Sequence, residues 1–262
     1  MTDTQRSGNP VKTAERVFEV LHGLKELDGA GVSELADHLG VAKSTVSRHL
    51  STLVDAEYVV RDDDEFNLGL KFTEMGQYAL SRYGVMEYVQ PLVDDLADKI
   101  DERSLFVVEE HGMGVYLRRG TGSHAVNTGS GPGTRRHLHS IASGKAILAN
   151  LPLERVGEIL DNRGLPSFTE NTITDREELF EDLERIRETG IAFNREERID
   201  GLNAVAAPVL GPEDEVIGSI GVSGPSHRMK GEWFTEEVAD DVLGTANELE
   251  INLAHADPTL HS

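Results

Sequence analysis

The chain has 262 residues and a formal net charge of −22, from 25 basic and 47 acidic side chains, and it contains no cysteine. The lack of cysteine excludes disulfides, cysteine-ligated zinc and thiol chemistry. No apolar run approaches the ~18 residues that a membrane span needs, and the first residues do not resemble a signal peptide. We therefore expect a soluble, cytoplasmic protein of about two domains without a membrane partner.

The high acidic charge has two interpretations. A strongly negative chain ordinarily disfavours nucleic acid. Here, however, the acid is scattered along predicted helix surfaces, and only seven lysines accompany eighteen arginines. That pattern resembles proteins from halophiles with a high-KCl cytosol, where the Debye length falls to about 3 Å or less. Under those conditions surface acid repels DNA very little, so DNA remains a candidate partner.

Residues 1–10 are polar and are expected to be disordered, and residues 11–70 are expected to fold as a small domain. Apolar residues at helical spacing predict helices over about Val11–Leu27, from Gly31 to Gly40, and from near Ala42. A hairpin follows, with Tyr58–Arg61 and Phe66–Leu68 as strands around the acidic turn Asp62–Glu65. Three helices and a hairpin predict a winged helix-turn-helix.

The third helix lies in an acid-free stretch, His38–Val54, within this acidic chain. If its apolar residues face inward, its small hydroxyl and basic side chains face outward, where they can approach phosphate and base edges. An ordinary solvated helix is the alternative, but we favour binding to a double-stranded DNA operator. The predicted contacts are Lys43, Ser44, Thr45, Ser47, Arg48 and Ser51, with Arg61 as the hairpin residue that can reach the backbone.

Residues 71–84 are expected to form a linker helix, and residues 85–257 a second domain. Periodicity predicts helices near residues 89–100, Ile141–Asn150, Leu153–Asp161, Arg176–Thr189 and Glu236–Leu253. It predicts strands near Leu105–Glu109, Val115–Arg119, Ala125–Thr128, Ala192–Arg195, Ala204–Leu210 and Val216–Val222. Pro91 is compatible with its helix if it lies in the first turn. This order indicates an α+β domain with a mostly antiparallel sheet.

Several segments resemble one family. VAKSTVSRHLSTLVDAEYVV and FNLGLKF look like the DNA-binding half of the IclR family of transcriptional regulators. LHSIASGKAILA (Leu138–Ala149), TGIAFNREERIDGLNAVAAPV (Thr189–Val209) and VIGSIGVSGPSHRM (Val216–Met229) follow in the family's order. The resemblance implies a GAF-like effector-binding domain after the winged helix-turn-helix, and a homodimer or homotetramer. It also implies ligand-responsive control of catabolic genes, in a halophilic archaeal version of the family.

The resemblance further implies an effector pocket lined by Ala142, Ser143, Asn194, Ala204, Gly221 and Ser223. Asn194, Ala204 and Gly221 stand where the family usually has an acid, a cysteine and a serine. The pocket is therefore expected to be less acidic, roomier and poorer in hydroxyls than in members that bind small keto acids. A sugar, an organic acid or an aromatic derivative is the expected effector, with a larger or neutral ligand made plausible by these departures.

Other patterns are weaker. Ala142–Lys145 lacks the outer glycine and the final Ser or Thr of a phosphate-binding loop, so Lys145 is interpreted as a residue of the helix start. His137 and His139 lack a third metal ligand at suitable spacing. No cofactor, metal or catalytic residue is predicted, and the chain is not expected to be an enzyme. Two rivals stay open: an enzymatic C-terminal domain, and a protein–protein sensor that has lost DNA binding.

Overall fold

The structure is a computed structural model that describes residues 11–255. The predicted disorder of residues 1–10 and the last two positions of the domain expected at 85–257 lie outside the described residues. The chain divides into two compact units, with the boundary between Tyr83 and Gly84. The helix predicted as a linker therefore belongs to the first unit.

The first unit is a winged helix-turn-helix, as predicted. Its elements are α1 (Lys12–Glu26), β1 (Ala30–Gly31), α2 (Val32–Leu39), α3 (Lys43–Asp55), β2 (Val59–Asp62), β3 (Glu65–Leu68) and α4 (Lys71–Ser81). α2 ends at Gly40, which adopts the left-handed conformation (φ 66°) that glycine accepts without strain. Val20 and Leu24 of α1, Leu35 of α2 and Leu50 of α3 form the centre of one apolar core.

Two details of this unit differ from the prediction. Ala30 and Gly31, at the predicted start of the second helix, pair with β3 as the third strand of a small antiparallel sheet. The hairpin turn is also shorter than expected, because Asp62 pairs with Glu65 in the ladder. The wing tip therefore consists of two acidic residues instead of four.

The second unit is an α+β domain around a fully antiparallel sheet. Its elements are α5 (Met86–Ile100), β4 (Arg103–Glu110), β5 (Met113–Thr121), β6 (Arg135–His137), α6 (Ala142–Asn150), α7 (Leu153–Arg163), α8 (Arg176–Thr189), β7 (Ala192–Arg195), β8 (Leu202–Leu210), β9 (Val216–Pro225) and α9 (Val238–His255). The strand order is β6-β5-β4-β9-β8-β7. Leu105 and Val107 of β4 pack into the apolar cluster of α6, α7 and α8, whereas Ser104 points the other way and donates to the Val93 carbonyl on α5.

For this domain one predicted strand was wrong, and the condition set for Pro91 is not met. Ala125–Thr128 is irregular backbone, and the edge strand lies later, at β6, where Met113 pairs with His137. Pro91 is the sixth residue of α5 and lies beyond its first turn. Proline there removes one backbone donor from the helix, and α5 nevertheless continues because its inward face is buried along its length.

Candidate DNA-binding helix and effector cavity

The predicted DNA contacts in α3 lie on its solvent side. Val46, Leu50 and Leu53 are buried, as the periodicity required. Lys43, Ser44, Ser47, Arg48 and Ser51 are exposed, and Thr45 is half-buried beside them. The arrangement gives one helix face of small hydroxyl and basic side chains.

Arg48 is held only loosely. Its Nε donates to the carbonyl of Ser44 at 3.4 Å, one turn back along α3. Among the described residues neither Lys43 nor Arg48 forms an ion pair with a carboxylate, so both charges are available to a phosphate or a guanine edge.

Arg61 differs from the α3 residues because the wing tip already engages it. Its Nε donates to the carbonyl of Asp63 at 2.7 Å, and its Nη2 lies 3.6 Å from Oδ1 of Asp64. The guanidinium also sits over the ring of Phe66. Part of the charge predicted to contact DNA is therefore directed at the wing itself.

All six predicted effector residues line one cavity in the second unit. The sheet register explains why. Asn194 on β7 pairs with Ala204 on β8, and Ala204 pairs with Ser223 on β9, so the three lie side by side across the sheet. Gly221 lies two residues along β9, and Ala142 and Ser143 are the first residues of α6.

The arginines of this cavity were not among the residues predicted from the sequence. Ser223 pairs with Arg103 on β4, which makes Arg103 the next member of the same row. Arg136 and Arg198 also contribute to the lining, and no Asp or Glu is among the lining residues. The described lining is therefore cationic, and not the neutral site considered from the sequence. The register of β4 against β9 is the signal that would have identified Arg103.

The three guanidiniums are held by neutral groups. Arg103 donates from Nε and Nη2 to the Ser223 hydroxyl, at 3.0 and 2.9 Å, and from Nη1 to Thr128. Arg136 Nη2 donates to the hydroxyl of Ser130 at 3.0 Å. Arg198 lies over the ring of Phe168, and its buried Nη1 has no partner among the described residues.

Electrostatics in the cavity disfavour its positive charges. Burial lowers the pKa of Arg103, and the neighbouring guanidiniums of Arg119 and Arg136 lower it further. The pKa of Arg198 is lowered by burial and then by Arg136. A guanidinium stays charged at any physiological pH, so these side chains keep a charge that no carboxylate in the cavity balances.

Asn194 supports the cavity wall. Its Nδ2 donates to the carbonyl of Ser140 at 2.9 Å, and its Oδ1 accepts from the backbone N–H of Glu197 at 3.1 Å. An aspartate could not make the first of these bonds. The amide at this position therefore joins the start of α6 to the turn that carries Arg198.

The cavity is small. It encloses about 40 Å³, whereas a small-molecule site usually has roughly 300 Å³ or more. The expected roominess is absent because arginine side chains and Tyr116 reach into the space. An organic ligand can enter only if some of these side chains move.

Lys145 has a structural role that its sequence position concealed. It is 1% exposed, and its Nζ lies 2.9 Å from Oδ2 of Asp182 and 2.7 Å from Oε2 of Glu197. Burial raises the pKa of Glu197, and the Lys145 charge opposes that rise. The interpretation of Lys145 as a simple residue of the helix start was therefore incomplete, because it ties α6 to α8 and to the turn after β7.

The two histidines pack as aromatic groups. The rings of His137 and His139 both lie against Phe168. His139 Nε2 donates to the carbonyl of Pro166 at 3.1 Å, and burial lowers the pKa of His139 to about 4.

Within residues 11–255 no group of three His, Asp or Glu side chains could hold a metal ion. In the same range, no helix has the length and apolar character to cross a membrane.

Comparison with known proteins agrees with this architecture. Residues 13–63 match the IclR helix-turn-helix domain, and residues 77–251 match the bacterial transcriptional regulator IclR C-terminal domain. The probable HTH-type transcriptional regulator ArcR of Halobacterium salinarum is 28% identical over 97% of this chain and 99% of that protein.

Two solved structures are also similar. The IclR of Thermotoga maritima has a TM-score of 0.78 at 28% identity, covering 93% of this chain and 99% of that one. The inducer-binding domain of a PobR double mutant from Acinetobacter, in complex with 3-hydroxybenzoic acid, has a TM-score of 0.58 at 26% identity. That match covers 63% of this chain and 96% of the other.

A winged helix-turn-helix unit and a second domain with a buried cavity define a DNA-binding transcriptional regulator that responds to a small molecule. The chain belongs to the IclR family of transcriptional regulators, since the two family models together cover most of its length.

Proposed function

We propose that this regulator controls catabolic genes in response to an organic acid that binds in the arginine-lined cavity. The supporting observation is the set of three lining guanidiniums, Arg103, Arg136 and Arg198, with no acid among the lining residues. In a chain with 47 acidic side chains, such an acid-free pocket favours an anionic ligand over the neutral one considered from sequence. Uncompensated buried charge is costly, and a bound carboxylate offsets that cost.

The start of α6 adds to this preference. Ala142 and Ser143 are its first two residues and line the cavity, and the amino end of a helix favours an anion. Gly144 keeps this helix close to the preceding turn, because a Cβ there would lie 2.2 Å from the Leu138 carbonyl oxygen. The 3-hydroxybenzoic acid in the PobR domain is a ligand of the same chemical class.

The effector assignment includes the six residues Ala142, Ser143, Asn194, Ala204, Gly221 and Ser223. Of these, Ser143 and Ser223 are the hydroxyls that can donate to a carboxylate. Gly221 is a packing residue, because a Cβ at that position would lie 2.7 Å from the Val205 carbonyl oxygen. Arg103→Gln should lower the affinity for carboxylate ligands. Arg118→Gln serves as the control, because Arg118 is half-buried, pairs with Asp94 of α5 and does not line the cavity.

DNA binding is assigned to α3. Lys43 lies in its first turn, placed for a phosphate, and Arg48 is placed for a guanine edge, with Ser44, Thr45, Ser47 and Ser51 around them. Arg48→Ala should cost about 1–3 kcal/mol of operator binding and relax specificity for the base pair it contacts. Lys43→Ala should weaken binding to all DNA sequences alike and lower the slope of log affinity against log salt concentration by about one unit. Wild-type affinity in both variants would remove the assignment.

A homodimer is the assembly we favour. A helix-turn-helix dimer reads two half-sites about 34 Å apart or a multiple of that. α4 buries none of its residues, yet it exposes Met75 and Tyr78 on adjacent turns, and a second copy could cover this stripe. Tyr78→Glu should shift the mass measured by light scattering toward the monomer, and an unchanged mass would argue against this interface.

The protein acts in the cytoplasm, where its DNA partner lies, and it does not turn over its ligand. A hydrolytic or transfer reaction requires a base, an acid or a nucleophile in contact with the ligand. A lining hydroxyl could serve as a nucleophile only with a base to activate it, and the described lining contains no His, Lys, Asp or Glu. Burial raises the pKa of its one phenol, Tyr116. Unchanged ligand after prolonged incubation with the protein is the expected result.

A further inference from the structure

The positive charge of the cavity lies at two places in its wall. Arg103 extends from the row of strand residues on β4 and is anchored by Ser223. Arg198 comes from the turn after β7 and is stacked on Phe168. Arg136 belongs with Arg103, because it donates to Ser130, two residues from the Thr128 that accepts from Arg103. It lies on β6, at the opposite edge of the sheet from β7.

The two places also differ in how their donors are used. Arg103 has its Nε and both terminal nitrogens committed to hydroxyl groups, Ser223 and Thr128. Arg198 keeps a buried terminal nitrogen without a hydrogen-bond partner within the described chain. A buried donor of this kind carries a desolvation cost that a ligand acceptor removes. One carboxylate near Arg103 would leave that donor unsatisfied.

The wall between the two places is uncharged. In the sheet row that runs from Arg103 toward β7, the residues are Ser223, Ala204 and Asn194, and Leu105 and Ile141 also line the cavity; none of them can balance a charge. A ligand with one acidic group compensates one of three lining guanidiniums, whereas a ligand with two leaves a single one. Matching both cationic places therefore requires acidic groups at both ends of one molecule, separated by a less polar segment.

We propose that the effector is a dianion, a dicarboxylate or a phosphorylated carboxylic acid, whose two acidic groups bind at Arg103 with Arg136 and at Arg198. This inference rests on the proposed function, because it takes the cavity to be the effector site. Arg198 is accordingly a specificity-determining residue: it distinguishes a diacid from the monoacid of the same length. The expected gain from the second acidic group is ~10- to 100-fold in affinity, as for a hydrogen bond between charged groups.

The test uses the full chain and matched probe pairs in calorimetric titration and thermal shift. The pairs are succinate with butyrate, adipate with hexanoate, terephthalate with benzoate, and phosphoenolpyruvate with pyruvate. In at least one pair the diacid should bind ~10- to 100-fold more tightly than its monoacid. If phosphoenolpyruvate is the diacid that binds most tightly, the effector is a phosphorylated acid. If succinate, adipate or terephthalate binds most tightly, the effector is a dicarboxylate.

Variants locate the second acidic group. Arg198→Gln should reduce the diacid to the affinity of the monoacid and leave the monoacid almost unchanged, and Arg198→Lys should restore part of the difference. Arg195→Gln is the matched control, because Arg195 also stacks on a phenylalanine, Phe193, but is exposed and does not line the cavity. Melting of the unliganded Arg198→Gln protein at or above the wild-type temperature shows that the fold is intact.

The outcomes separate the two proposals. If monoacids bind as tightly as their diacids, and binding requires Arg103, the dianion is excluded while an anionic effector stands. If Arg198→Gln weakens both members of a pair equally, the assignment of the second acidic group is wrong. If no diacid binds, the dianion proposal falls, and binding of neutral analogues instead would remove the proposed organic-acid effector as well.

Discussion

Replacing Lys145 by methionine should destabilise the second unit strongly. The substitution keeps the volume of the side chain but removes the charge that faces Asp182 and Glu197. Both carboxylates have side chains only 10% exposed, and Asp182 retains its ion pair with Arg185. Glu197 is then left as a buried acid without its cation, and breaking a buried pair in this way costs about 3–5 kcal/mol.

The measurement is urea denaturation at pH 7 and pH 5, with Lys99→Met as the matched control. Lys99 pairs with Asp241 on the surface, where its side chain is 64% exposed, so its loss should cost under about 1 kcal/mol. Burial raises the pKa of Glu197, and removal of Lys145 should raise it further. Because the folded state then binds a proton more readily than the unfolded state, the penalty should shrink as the pH falls toward 5.

Adding Glu197→Gln to Lys145→Met removes the orphaned charge and should recover about 1–3 kcal/mol. A loss below ~1 kcal/mol in the single variant would refute the reasoning, because it would mean that the buried acids do not depend on this lysine. Equal stability of the single and double variants would locate the damage in packing instead of charge. Carboxylate binding should also weaken, because Glu197 precedes Arg198 in the same turn.

Three further predictions concern pH, salt and the wing. Burial lowers the pKa of His139 to about 4, so the unfolded chain binds more protons than the folded chain between pH 4 and ~6.5. The free energy of unfolding should therefore rise with pH across that window, by up to ~3 kcal/mol. His139→Gln should flatten this dependence on pH, and an unchanged slope would contradict the attribution to His139. The melting temperature should rise between 0.1 and 2 M KCl as repulsion within a chain of net charge −22 is screened; a flat or falling curve would favour an ordinary acidic protein. Arg61→Ala should weaken operator binding less than Lys43→Ala because Arg61 already contacts the wing tip; an equal loss would place the wing on DNA.

The sequence predicted best where the information is local. The helical spacing of Val46, Leu50 and Leu53 defined α3 and its solvent face, and the structure buries these three residues. The bounds Arg176–Thr189 for α8 and Ala192–Arg195 for β7 were also correct. Periodicity and caps act over a few residues, so a single sequence contains them.

Contacts between distant residues were not accessible in this way. Arg103 is paired with Ser223 through a strand register that joins segments 120 residues apart. Lys145 meets partners 37 and 52 residues later in the chain. Periodicity at residue 103 or 145 does not indicate which distant strand or helix will lie opposite.

The segment Ala125–Thr128 illustrates the same limit in another form. A short strand was predicted there, but Thr128 bonds to the side chain of Arg103. Ser130, just beyond, receives Arg119 at its carbonyl and Arg136 at its hydroxyl. Long-range side-chain donors thus replace the ladder bonds that a strand would need.

The measurement that tests the central claim most directly is the affinity of the full chain for an operator selected by the protein from a random library of double-stranded DNA. Fluorescence anisotropy would be recorded at fixed salt with and without the tightest-binding acid, for the wild type and Arg103→Gln. The affinity of the wild type for this DNA should change roughly 5- to 150-fold when the acid is added, and that of Arg103→Gln should not change. Unaltered affinity when the acid is bound to the wild type, or an equal response from Arg103→Gln, would contradict the claim that an anion in this cavity controls DNA binding.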